Sequence, residues 1–137
     1  MSTAPDLTSH PSTPLRRDWV LAGEPAHRTW EGVRDRGLTA GQWDCTAGRF
    51  VWDFGAYDEV VHILEGSVVV VSPGGVQHVL EEGDSHHFPH GTRWEWHVPV
   101  YVRKAYVCRD ARSAPRRALT RLRAAARRVP DRLVARA

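Results

Sequence analysis

Asp58-Glu59-Val60-Val61-His62-Ile63-Leu64-Glu65-Gly66 reads as a buried strand with one ionisable group turned inward. Its apolar residues fall in one short run, Val60, Val61 and Ile63 are β-branched, an acid stands near the start, and a glycine turn closes it. If Glu59 points in, alternation sends Val61 and Ile63 in with it and turns Val60, His62 and Leu64 to the other face. Downstream, Gly83 and Asp84 on one side and Pro89, His90 and Gly91 on the other bracket a second short strand, Ser85 to Phe88.

Working outward, the text stays β-like. Leu38 to Cys45 and Phe50 to Phe54 read as two strands joined by a hairpin at Thr46, Ala47 and Gly48. Ser67 to Val71 and Val76 to Leu80 flank the turn Pro73, Gly74, Gly75, and Arg93 to Val98 and Tyr101 to Val107 complete the set. In Arg93 to Val98, Trp94, Trp96 and Val98 share one face, with Glu95 and His97 opposite. Short strands at nearly regular spacing, with no helical period among them, predict an all-β jelly roll. Residues 16–110 are expected to form the barrel, with Trp19 laid on it by an edge strand or irregular cover. Residues 1–15, rich in Ser, Thr and Pro, are expected to be disordered. Residues 111–137 change period: Leu119, Leu122, Ala126 and Val129 recur at threes and fours behind Pro115, predicting a short amphipathic C-terminal helix.

A chain of 137 residues holds one domain with a real core. No apolar run is long enough to cross a bilayer, and the N-terminus has no basic start followed by an apolar core, so a cytoplasmic protein is expected. Cys45 and Cys108 stand alone, outside any C-x-x-C spacing, and read as reduced, buried small residues. The net charge of +3 conceals an asymmetry: residues 111–137 carry nine arginines against the single acid Asp131, a net +8, which leaves −5 on the first 110 residues. The basic balance therefore belongs to the tail and says nothing of what the barrel binds. No nucleic-acid-binding fold surrounds that tail, so no specific nucleic acid is expected as a partner. Lys104 is the one lysine of the chain.

The two punctuated stretches together resemble the paired signatures of the cupin superfamily. Glu59 and Gly66 keep the spacing from glutamate to closing glycine in the first signature, and Gly83, Pro89 and Gly91 match the second. Gly41, Trp43, Cys45, Gly48 and Phe50, the run His62 to Gly66, Trp96, and finally Val102, Arg103, Lys104 and Tyr106 are similar to the small single-cupin group related to ureidoglycine aminohydrolase. The resemblance covers about residues 38–107. It implies an RmlC-like double-stranded β-helix, a small-molecule ligand and a homodimer. In the family a metal is held by an H-x-H pair, the glutamate and a last histidine. Carried over by position, the H-x-H places are Trp52 and Phe54 and the last histidine is Trp94. Indole and phenyl offer no lone pair to a divalent cation, so no cofactor is expected at the usual site.

The expected pocket then sets Glu59 among Trp52, Phe54, Trp94 and Trp96. Burial against aromatic walls disfavours a charged carboxylate and suits it to general acid or base work. The same set suits an organic cation held by cation-π contacts. Lys104 and Tyr106 lie on the last strand, Lys104 as an anion or carbonyl partner or as a salt bridge to Glu59. The leading expectation is a metal-independent step on a small polar metabolite, nitrogen-bearing ones included, with Glu59 and Lys104 catalytic. A non-catalytic binding or sensing module stays open as the alternative. So does a metal enzyme with the substituted ligands Glu59, His86 and His87.

Overall fold

The computed structural model describes residues 6–111. Eight strands make up most of them: β1 (Thr13–Pro14), β2 (Val20–Ala22), β3 (Ala26–Asp35), β4 (Leu38–Asp53), β5 (Tyr57–Val71), β6 (Gln77–Glu81), β7 (Ser85–Phe88) and β8 (Arg93–Asp110). All pairings are antiparallel, in the order β1-β3-β4-β8-β5-β6, with β2 added to β4 and β7 to β5. The expected C-terminal helix over 111–137 lies, apart from Ala111, outside the described residues.

Three long strands build both layers. The first half of β4 pairs with the second half of β8 (Trp43 with Lys104, Cys45 with Val102), and that half of β8 pairs with the start of β5 (Glu59 with Cys108). Beyond the bends the partners continue in the other layer, Phe50 with Trp96, Trp52 with Trp94, and Val70 with Trp96. This corrects the hairpin expected at Thr46 to Gly48. Those residues are a shift of register within one strand, between Thr46 and Gly48, and matching shifts between Ile63 and Glu65 and between Gly66 and Val69 bend β5. A bulge turns a strand through a corner without breaking its ladder, and in short sequence windows it looks like a turn. At Gly66 the corner needs glycine: φ is +76°, and an added Cβ would lie 2.0 Å from the carbonyl oxygen of Tyr101.

Alternation holds on both strands that frame the cavity. Glu59, Val61 and Ile63 are buried while Val60 and His62 are exposed, and Trp94, Trp96 and Val98 are buried while His97 is exposed. The inner faces meet in one aromatic-rich core that includes Trp43, Phe50, Phe54, Phe88, Trp94 and Trp96. The disorder expected up to residue 15 is corrected for the described part of that span. Leu7 and Leu15 are buried, a short 3-10 turn spans Leu7–Ser9, and β1 pairs with β3. Two apolar anchors spaced eight positions apart gave no periodic signal in a polar context. Trp19 does lie on the barrel, its ring 5.0 Å from that of Trp52.

Candidate functional site

One cavity of about 330 Å³ opens between the ends of β3, β4, β5 and β8. Its inner end is charged. Lys104 Nζ donates to Glu59 Oε2 at 2.7 Å, and the two residues are only 3% and 5% exposed. The ammonium also lies 4.7 Å from the ring centroid of Trp43 and 4.8 Å from that of Trp96. The register explains the meeting: Trp43 and Lys104 are ladder partners across β4 and β8, as are Phe50 and Trp96, and the rings of Trp43 and Trp96 stand edge to face at 5.8 Å. An ammonium taken out of water needs both a counter-charge and polarisable faces, and it has them here.

Glu59 is engaged at its second oxygen too, where Cys108 Sγ donates to Oε1 at 3.2 Å. Burial, and then the Glu59 carboxylate beside it, push the Cys108 thiol up, and burial pushes Cys45 up to about 12. Both cysteines are free thiols and stay protonated near neutrality, which fits neither as a nucleophile. The lone acid expected in an apolar hollow is thereby corrected. Glu59 is buried as expected, but Lys104 neutralises it.

The side walls come from Trp43, Trp52, Tyr57, Tyr106 and His27. Trp43 Nε1 donates to His27 Nδ1 at 2.9 Å, and Trp52 Nε1 donates to Tyr57 Oη at 2.9 Å. Because an acceptor nitrogen carries no proton, the neutral His27 has its hydrogen on Nε2. Burial lowers the pKa of His27, against a smaller raising effect from Asp44. A folded state that resists protonation gains stability above the unfolded value near 6.5 and loses it as pH falls toward the folded value. Histidine NMR should therefore show His27 titrating below 6.5 with the proton on Nε2. A midpoint above 6.5, or a proton on Nδ1, would contradict the assignment. Burial also raises Tyr57, and it pushes Tyr106 up to about 12, so both phenols keep their hydrogens.

Of the expected site residues, Glu59, Lys104, Trp52 and Tyr106 line the cavity. Trp96 sits behind it, against Lys104 and Trp43. The expectation that Phe54 and Trp94 wall the same space is corrected. Phe54 stacks on Phe88 at 4.7 Å, and Trp94 packs edge to face on Phe88 at 5.0 Å, so both fill the core next to the cavity. Alternation gives the face of a side chain but not its depth along the barrel. Trp43, Tyr57, His27 and Cys108 were missed, although Trp43 sits at an inward position on a strand already read and Cys108 directly follows another, which runs on to Asp110. What was missing was the long-range pairing that brings β3 and β8 to β4.

The metal implied by the family resemblance does not fit these donors. Trp52, Phe54 and Trp94 have no lone pair to give, and both oxygens of Glu59 already accept hydrogen bonds. The substituted set Glu59, His86 and His87 is not assembled either. His87 reaches Asp58 at 3.3 Å on the outer face, while His86 packs on Phe88 and Trp94. Among the described residues no three His, Cys, Asp or Glu side chains gather to hold an ion. A second buried acid, Asp44, belongs to the outer face of β4, where Arg28 and Tyr101 hold it at 2.6 and 2.7 Å.

Residues 33–106 match the family model of the EutQ-like cupin domain. The chain belongs to the EutQ-like cupins. A solved structure assigned as ethanolamine utilization protein Q of Salmonella typhimurium LT2 is similar to this cupin at 27% identity and a TM-score of 0.56, over 63% of this chain and 71% of that one. A protein of unknown function in the DUF861 family, from Pseudomonas syringae pv. tomato DC3000, is similar at 26% identity and a TM-score of 0.65, over 72% of this chain and 43% of that one. Ectoine synthase from P. lautus, at 14% identity and a TM-score of 0.57 over 61% of this chain and 64% of that one, shares the fold alone. None of the curated proteins matches the chain. These likenesses support the cupin fold and do not single out ureidoglycine aminohydrolase. No helix of the described residues is long and apolar enough to cross a membrane.

Proposed function

We propose that this cupin binds a small polar metabolite in the cavity and that the Glu59–Lys104 pair moves a proton on it. The observation that carries this reading is the position of the pair. A charged couple that served only to fill the barrel would be sealed behind apolar side chains, yet Glu59 and Lys104 both line a cavity of about 330 Å³. The carboxylate of this pair can accept a proton from a bound substrate and the ammonium can give one to it, which is what acid and base steps on one substrate require. No step is routed through a metal, because the donor set does not suit one.

The test begins with metabolites retained by the natively purified protein, identified by mass spectrometry. Turnover of a retained compound is then compared between the wild type and Glu59→Gln. Loss of turnover with binding kept supports catalysis by the pair. Binding without turnover in the wild type assigns the cavity to a carrier or sensor and overturns the catalytic reading.

A further inference from the structure

The hydrogen-bonding capacity left over in the cavity is weighted toward donors. His27 accepts from Trp43 at Nδ1 and so presents Nε2–H. Tyr57 accepts from Trp52 and keeps its own O–H to give. Lys104 has three N–H groups and gives one to Glu59. The Glu59 carboxylate, the acceptor that a cationic ligand would seek, already receives from Lys104 and Cys108. The cation site between the faces of Trp43 and Trp96 is filled as well, since Lys104 occupies it as a built-in ammonium. At the mouth, Arg34 and Asp110 contribute one charge of each sign.

We propose that the ligand is a small carboxylate, its oxygens accepting from Lys104, His27 Nε2–H and Tyr57 O–H and its apolar body lying on Trp43 and Trp52. The proposal rests on the preceding reading that the cavity takes a metabolite, and it replaces the nitrogen-bearing cation among the ligand classes open to the sequence. The Lys104 ammonium thus supplies the fixed positive charge at the inner end of a cupin cavity whose aromatic residues cannot hold a metal ion.

Three probes of one shape and different charge test it on the full chain: benzoate, benzamide and benzamidinium, followed through the indole N–H signals of the six tryptophans. Benzoate should shift Trp43 and Trp52, leave Trp30, which does not line the cavity, in place, and bind about ten-fold or more tighter than benzamidinium. Tyr57→Phe and, independently, Tyr106→Phe keep the ring packing. Tyr57→Phe should weaken benzoate about ten-fold, the worth of one hydrogen bond to a charged group, while Tyr106→Phe should leave benzoate at least as tight relative to benzamidinium as in the wild type. Preferential binding of benzamidinium, or benzoate affinity indifferent to Tyr57→Phe, overturns the carboxylate class while the cavity remains a small-molecule site. If none of the three probes moves Trp43 or Trp52 at millimolar concentration, the carboxylate proposal and the small-molecule reading both fall.

Discussion

Lys104→Met is expected to destabilise the barrel by about 3–5 kcal/mol, the usual cost of removing one partner of a buried ion pair and leaving the other charge stranded. Methionine keeps the length and most of the apolar contact of the lysine stem, so little of that loss comes from packing. The stranded group is the Glu59 carboxylate, which keeps only the weak Cys108 donor at 3.2 Å. Adding Glu59→Leu to the same chain should recover most of the loss, because two apolar residues of similar volume cost little where an unpaired charge costs much. Urea unfolding of the two single variants and the double gives the coupling directly. A loss under about 1 kcal/mol for Lys104→Met would place the pair among solvent-screened surface bridges and contradict the burial of both residues.

Glu59→Gln is the second large effect, and it is read on rate. The amide oxygen of glutamine still accepts from Lys104, so the cavity keeps its shape, although the ammonium loses its counter-charge. The amide cannot take up a proton at neutral pH. If the pair does acid–base work, turnover falls about 10²–10⁴-fold, the range for a positioned proton-transfer group. Ligand affinity should change far less, since the proposed ligand contacts are made by Lys104, His27 and Tyr57. Equal turnover in the wild type and Glu59→Gln would remove Glu59 from the chemistry.

Much of this was legible in the chain because β-strands write their faces in alternate letters. Alternation in Asp58 to Gly66 and in Arg93 to Val98 matches the observed inward set, and a salt bridge from Lys104 to Glu59 is one of the two readings the residues allow. The departures have distinct physical causes. The bends at Thr46–Gly48 and near Gly66 are bulges, and a bulge leaves a turn-like residue in sequence while the ladder runs on. The cavity walls from His27, Trp43 and Tyr57 depend on which strands lie side by side, a long-range property that no local window contains. Trp94 and Phe54 were assigned to the cavity because they replace ligand positions of the family, yet once they offer no lone pair they pack on Phe88 as core. The resulting site differs from the expected one in its walls and in its charge, because its acid is neutralised from within the chain.

The most direct test of that internal ion pair uses the fact that Lys104 is the one lysine in the sequence. A chain labelled with ¹⁵N-lysine gives a single side-chain nitrogen signal that needs no assignment. The account predicts Nζ hydrogens that exchange slowly with water, show cross-relaxation to the rings of Trp43 and Trp96, and lose that protection in Glu59→Leu. A signal that exchanges as fast as a solvent-exposed lysine, with no contact to either indole, would contradict it.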